Sequence, residues 1–526
     1  MSNAPKKLDR RKFLYAGLGT AIVVVGGLAA YFATRPPERI VETVEKPVEK
    51  TIVQTQVQTV EKPVERTITQ TVEKVVKEVE TKFTTIAGTP TTIVETVEKK
   101  VEVTKPGATL IDFWVFGGTT IEEHPWLSFI TEQFNSAHPD IQVRRTGKSW
   151  ATKYEEILAA YKAGTAPDLF TTDATAIGDY VEAGLVVPLD VEFPEVLKWE
   201  ERFVPEIWKN SATWWKGHLY AIPPWVDAFT FLAYNKEHFK QAGIVDSKGD
   251  PTPPRTWDEL MEFSKLLTKK DKGIYGYAFP VKVAAEPDSD VLTGIAYQNG
   301  ARWLSEDEKT VVLDDPGWVD TVQFHVDLVK AGVVPPNPLD IGYIETNQLF
   351  FAGKLSMQSG ASWIPVFPKY LGVPPDYPYD ISLFPKRSPI SGSYPPASMI
   401  MGAMMGMFMT STSKHKKEAF EFMKWFASEE VLIGWDGSHV RGRIPALKKA
   451  YESVTYKVTY PALYNLYHEG VLFKGALQLP TFLGLVEMKE PMLAAWQEAV
   501  AGKKSPKDAL RDAKTKAQRI YDAKRK

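Results

Sequence analysis

The chain has no cysteine among its 526 residues. That excludes disulfides, thiolate metal sites, cysteine nucleophiles and an acylated-cysteine membrane anchor together. An excess of charge of one sign is also missing: 63 basic and 65 acidic residues leave a net charge of −2, so no global field draws the chain to nucleic acid or to an anionic surface. The eight histidines are scattered without metal-ligand spacing. No His-Glu-x-x-His, Gly-x-Ser-x-Gly or phosphate loop occurs, so neither a metal nor a cofactor is expected. Tryptophan is absent before Trp114 although the chain holds 15. Large aromatics dominate cores, so the folded body is expected to begin there.

What is present falls into three parts. Asp9-Arg10-Arg11-Lys12-Phe13-Leu14 looks like a twin-arginine export signal, or more plainly a basic targeting segment. From Phe13 to Thr34 no residue is charged, and a helix of that length reaches about 33 Å, enough for a bilayer core. Lys6, Lys7, Arg10, Arg11 and Lys12 precede it, which leaves the N-terminus in the cytoplasm and the body outside. No clean small-x-small cleavage site follows, so residues 1–35 are expected to act as an uncleaved membrane anchor. Residues 36–107 are rich in Val, Thr, Glu and Lys, with Phe83 the one aromatic and Thr-Val-Glu-Lys recurring at Thr43, Thr59, Thr71 and Thr96. Such a composition builds no globular core. Val64, Ile68, Val72, Val75, Val79, Phe83 and Ile86 step in an 11-residue pattern, the spacing of a helix stripe with slight right-handed drift. The Thr and Val content suits extended chain equally. A low-complexity stalk, self-associating or disordered, is the expectation.

From residue 108 onward strands and helices alternate: Ala108–Gly118, a helix around Trp126–Ala137, a strand Ile141–Arg145, a helix Tyr154–Ala163. This order predicts a parallel sheet with helices on both faces. At this length two or more compact units are expected. Ligands on such sheets meet the carboxyl ends of the strands, which points to the loops after Trp114 and after Phe170. Thr256 with Glu259 forms a capping-box start, and Ser505-Pro506 opens the last helix. Gly217–Phe239, GHLYAIPPWVDAFTFLAYNKEHF, reads as two short strands joined by a loop that presents Trp225 and Asp227. Its alternative is a hairpin with a core tryptophan.

Several ordered motifs run through this span: Ala166-Pro167-Asp168-Leu169, Tyr220-Ala221-Ile222-Pro223 followed by Tyr234-Asn235-Lys236, Thr256-Trp257-Asp258-Glu259-Leu260, Phe351-Ala352-Gly353-Lys354-Leu355-Ser356-Met357, and Arg443-Ile444-Pro445-Ala446. Together they resemble the extracellular solute-binding proteins of ABC importers, specifically the maltose-binding-like sugar group. The resemblance covers residues 108–526. It implies an α/β, periplasmic-binding-protein type II-like fold, two lobes joined by a multi-strand hinge, with 108–228 plus 403–458 in one lobe and 229–402 plus 474–526 in the other. It also implies a carbohydrate ligand and permease partners. Carried over by position, Trp363 falls at the stacking site, Asp227 in the hinge loop, Glu286 in a second-lobe loop and Asp173 near the acid after a first-lobe strand. Phe116, Trp150, Trp225 and Tyr394 are candidates from loop position alone. The relatives' Asp-Lys pair after the first strand is replaced here by Phe116-Gly117-Gly118-Thr119, so no particular sugar transfers. A secreted glycoside hydrolase using Asp227 and Glu286 as its two carboxylates stays open as an alternative, as does a binding protein for peptide or another small solute.

Overall fold

The computed structural model describes residues 74–86, 89–101, 107–116, 125–210, 212–282, 288–374, 376–402, 405–436 and 444–525. Among them no helix is long and apolar enough to cross a membrane; the uncharged run 13–34 lies outside the described residues. Strands β1 (Lys74–Ile86) and β2 (Thr89–Val101) pair antiparallel, from Lys74 opposite Val101 to Ile86 opposite Thr89. The helix stripe expected from the 11-residue pattern is therefore not formed over 74–86. β-Branched Val and Thr are stiff at χ1 and fit a pleated ribbon better than a helix.

The body begins with β3 (Thr109–Phe116), α1 (Pro125–Ala137), β4 (Ile141–Lys148), α2 (Lys153–Lys162), β5 (Leu169–Asp173) and α3 (Ile177–Glu182). β6 (Ala221–Ile222), β7 (Trp225–Ala228) and β8 (Phe231–Asn235) follow in quick succession. Next come α4 (Trp257–Leu267), β9 (Tyr275–Ala278), α5 (Asp288–Gln298), α6 (Pro316–Lys330), α7 (Tyr343–Phe351), β10 (Leu355–Gly360) and β11 (Tyr379–Leu383). The chain returns through β12 (Ile400–Gly402), β13 (Met405–Met409), α8 (Lys416–Phe426) and β14 (Ile444–Pro445). It ends with α9 (Pro461–His468), β15 (Leu477–Gln478), α10 (Leu485–Val500) and α11 (Pro506–Lys524).

These strands make two main sheets and a third, whose strands β7 and β12 fall between those of the other two along the chain. The first sheet has the order β4-β3-β5-β13-β6, the second β9-β10-β8-β11, and the crossing sheet β14-β7-β12-β15. Parallel pairing holds for β4, β3 and β5 and for β9 with β10. β13 runs antiparallel to β5, so the first sheet is mixed rather than wholly parallel. The reversal follows from connectivity, because β13 enters from the crossing sheet instead of from a βα unit.

Alternation along the strands sends side chains to both faces of the first sheet, and each face is covered. Phe113 meets Phe422 of α8 edge-on at 5.3 Å, and Phe134 of α1 meets the same ring at 5.0 Å. On the opposite face Phe170 stacks on Phe408 at 5.1 Å, with Tyr180 of α3 against it. The second sheet packs α4 so closely that a Cβ on Gly276 would lie 2.0 Å from the Ser264 carbonyl oxygen. Only glycine allows that approach. α10 is tied to α5 by a buried ion pair, Lys489 Nζ to Asp290 Oδ1 at 2.8 Å.

Candidate functional site

Pro223-Pro224 stops β6, and the following segment with Trp225 and Asp227 is strand β7, not the expected loop. Partners on both sides make it a strand: Val226 lies opposite Ile444, and Asp227 opposite Gly402. Trp225 is 1% exposed, so it is a core residue rather than an exposed ring, and the hairpin-core alternative describes it better. Asp227 is also buried, at the centre of the crossing sheet.

The turn after β10 is fastened to this strand. Ser362 N donates to the Ala228 carbonyl at 2.8 Å, and Ala228 N donates to Ser362 Oγ at 3.2 Å. That clasp delivers Trp363, the next residue, to the crossing. The Trp363 ring is half-buried, edge-on to Phe229 at 5.3 Å and 5.5 Å from Tyr343. Tyr343 N in turn donates to Asp288 Oδ1 at 2.8 Å, while Asp288 Oδ2 accepts from Lys282 N at 3.0 Å. Asp288 thus ties Lys282 to the start of α7. Glu286 itself lies outside the described residues.

Asp173 ends β5 and pairs in register with Met405 of β13, three residues after Gly402. Asp173 and Asp227 therefore flank the same short link between β12 and β13. The Asp173 carboxylate is fully buried. It accepts from the Tyr154 hydroxyl at 2.8 and 2.9 Å and from Thr175 N at 3.1 Å, and Lys153 Nζ stands 3.3 Å from Oδ2. The Lys153 ammonium lies 4.4 Å from the Trp150 ring centroid and 4.3 Å from that of Tyr154. Trp150 is half-buried, in the turn that follows β4.

Of two further candidates, one is buried at this same edge, opposite Lys148, and the other packs on a different turn. Phe116 is fully buried, with its ring 6.3 Å from Trp114, because the last residue of β3 is still covered by core. Tyr394 packs on the turn that closes α5: its N donates to the Gly300 carbonyl at 3.0 Å, and Arg302 lies 5.7 Å from its ring. A cavity of about 380 Å³ opens between Tyr377, Tyr379 and Asp380 on one side and Thr459 and Tyr460 on the other; none of the nominated residues lines it. Among the described residues no His, Asp and Glu cluster is set to hold a metal ion.

Asp227 thus lies in the crossing sheet and Trp363 follows the residue clasped to it, while the Asp173 group with Trp150 lies where β5 ends beside β13. Sequence reasoning missed Lys153, Tyr154 and Ser362. For the first two a signal existed: Trp150, Lys153 and Tyr154 stand at i, i+3 and i+4, the spacing that puts side chains on one face of a helical turn.

This architecture has counterparts. The model of the bacterial extracellular solute-binding protein family matches residues 117–432. The chain belongs to that family. A Brucella abortus (strain 2308) protein named only as a binding protein is 23% identical over 397 residues, 75% of this chain and 90% of its own length. The maltotriose-binding protein of Pyrococcus abyssi is 23% identical over 304 residues, 58% of this chain and 60% of its own. A crystal structure of a Thermotoga lettingae ABC transporter solute-binding protein holding α-D-tagatose superposes with a TM-score of 0.66 at 22% identity, covering 79% of this chain and 100% of the other. A solute-binding protein holds its ligand and performs no reaction on it, so the hydrolase alternative is set aside.

Proposed function

We propose that this solute-binding protein captures a carbohydrate between two lobes outside the cytoplasm and delivers it to the permease of an ABC importer. The observation that carries the reading is the junction: strands linking two sheets lie side by side, with Asp227 buried among them and Trp363 clasped beside it. An aromatic face covers the apolar C–H surface of a sugar ring, and a carboxylate accepts its hydroxyls. The lobes are taken as 108–228 plus 403–458 and 229–402 plus 474–526; the placement of β7, β12 and β15 at their borders supports this division. The names of the relatives support sugar as the class, since one is named for maltotriose and another holds tagatose.

Closure of two lobes over a ligand is a hinge motion driven by contacts that the ligand makes with both. A micromolar ligand requires about −8 kcal/mol, within reach of stacked rings and buried hydroxyl pairs. The uncharged run 13–34 behind Arg10-Arg11 supports a tether in the cytoplasmic membrane, with residues 36–107 as the spacer that holds the body clear of it. Titration calorimetry of the full chain against mono- and oligosaccharides, with peptides as controls, tests the reading. Stoichiometric heat with the sugar recovered intact is expected. Silence across the sugars with heat from a peptide would replace the ligand class and keep the family.

A further inference from the structure

The carboxylate of Asp173 is already committed within the protein, to Tyr154, Thr175 and Lys153. A carboxylate so occupied is poorly placed to accept ligand hydroxyls as well. Tyr154, also half-buried, spends its hydroxyl on that carboxylate, whereas Trp150 is half-buried at the same carboxyl edge of the first sheet. We infer that Lys153 is a positioning residue: anchored by Asp173, its ammonium holds the Trp150 ring as the ligand-facing platform of the first lobe, the counterpart of Trp363 in the second. This deepens the carbohydrate reading and rests on it for the ligand, though not for the positioning.

Three features point the same way. The Lys153 side chain is 5% exposed, and taking an ammonium out of water is costly enough that an apolar residue would serve better if only packing mattered. The ammonium sits between two rings, 4.4 Å from Trp150 and 4.3 Å from Tyr154, where attraction between a cation and an aromatic face is strong once desolvated. Tyr154 is itself fixed by its hydroxyl on Asp173, so the Lys153 ammonium is held by a tied pair, and Trp150 is the ring it orients. A platform must be stiff before it meets a sugar, because any freedom it loses on binding is subtracted from affinity.

The test separates positioning from simple charge balance. Lys153→Met alone would strand a buried carboxylate and could fail to fold, so the informative variant is Lys153→Met with Asp173→Asn, which removes both charges together. The full chain is labelled with 5-fluorotryptophan, and the Trp150 fluorine resonance is assigned by its disappearance in Trp150→Phe. In the double variant the melting temperature is expected to stay close to wild type while the Trp150 resonance moves and broadens. Affinity for whichever of maltotriose and tagatose the wild type binds should fall about tenfold. Lys153→Arg, which keeps the cation, should recover both the resonance and most of the affinity. A Trp150 resonance unchanged in the double variant would overturn the positioning role. A moved resonance with unchanged sugar affinity would overturn the platform. If neither sugar, nor any other in the panel, binds the wild type, the carbohydrate reading fails by itself, and the resonance still decides whether Lys153 orients Trp150.

Discussion

Trp225 and Trp363 lie on the two sides of the Ala228–Ser362 clasp, and burial divides their roles. Trp225 is core, 1% exposed between β14 and β12. Trp225→Ala should cost about 3–5 kcal/mol of stability, read as a large fall in the denaturant midpoint. Trp363 leans on Phe229 and Tyr343 with part of its ring left open. Trp363→Ala should cost only about 1–2 kcal/mol, while ligand affinity drops about tenfold or more. Equal affinity in that variant, measured by calorimetry, would take Trp363 out of the site. Asp227 belongs to the same residue-scale picture, since it is buried in the crossing sheet between β14 and β12.

The helices show local chemistry cooperating with burial. Thr256 Oγ1 accepts from Glu259 N at 3.1 Å, while the Glu259 carboxylate reaches Arg255 N at 2.6 Å, one residue before the cap itself. Ser505 Oγ accepts from Asp508 N at 3.2 Å at the start of α11. On α6 the packing imposes a pH dependence. Burial pushes the His325 imidazole down to about 4, opposed by the bond from Nδ1 to the Thr321 carbonyl at 2.8 Å. The folded chain therefore binds this proton less readily than the unfolded chain, whose value is 6.5. Its contribution to stability is complete above the unfolded value and declines as pH falls toward about 4, by about 3 kcal/mol in all. His325→Phe should flatten the loss of stability between those two values, measured by urea unfolding across the window. A slope identical to wild type would mean that another group governs it.

Across the whole molecule, the last helix reaches back to the start of the body, and in the proposed division this contact joins the two lobes. Lys524 at the end of α11 stands 3.4 Å from Asp179 of α3 and 2.6 Å from Glu487 of α10. Burial holds the Asp179 carboxyl above the usual range, while Lys524 and the Gly484 amide pull it back down. Without the ammonium, the Asp179 and Glu487 carboxylates would repel each other across what the proposed division makes the lobe boundary. Lys524→Ala should therefore favour the open arrangement. Because these groups are partly solvated, the effect should be about 1 kcal/mol or less, a few-fold loss of ligand affinity. Small-angle scattering should show a larger radius of gyration in the unliganded variant than in the unliganded wild type. An unchanged radius would place Lys524 outside the closing equilibrium.

The opening alternation of strands and helices from β3 to α2 and the caps at Thr256 and Ser505 were legible in the sequence. Each depends on a period or spacing within a few residues, and these are local properties. The family resemblance rested on the same short, ordered words. Tertiary structure alone decided which nominated residues are buried or already paired. β7 is a strand because Ile444 and Gly402 arrive from far along the chain to flank it, and that pairing is what buries Trp225. Asp173 is committed because Lys153 and Tyr154, on a different element, turn toward it. Burial and partnership are set by contacts between distant segments, so residue type can nominate a site residue, and only packing determines whether it is free to bind.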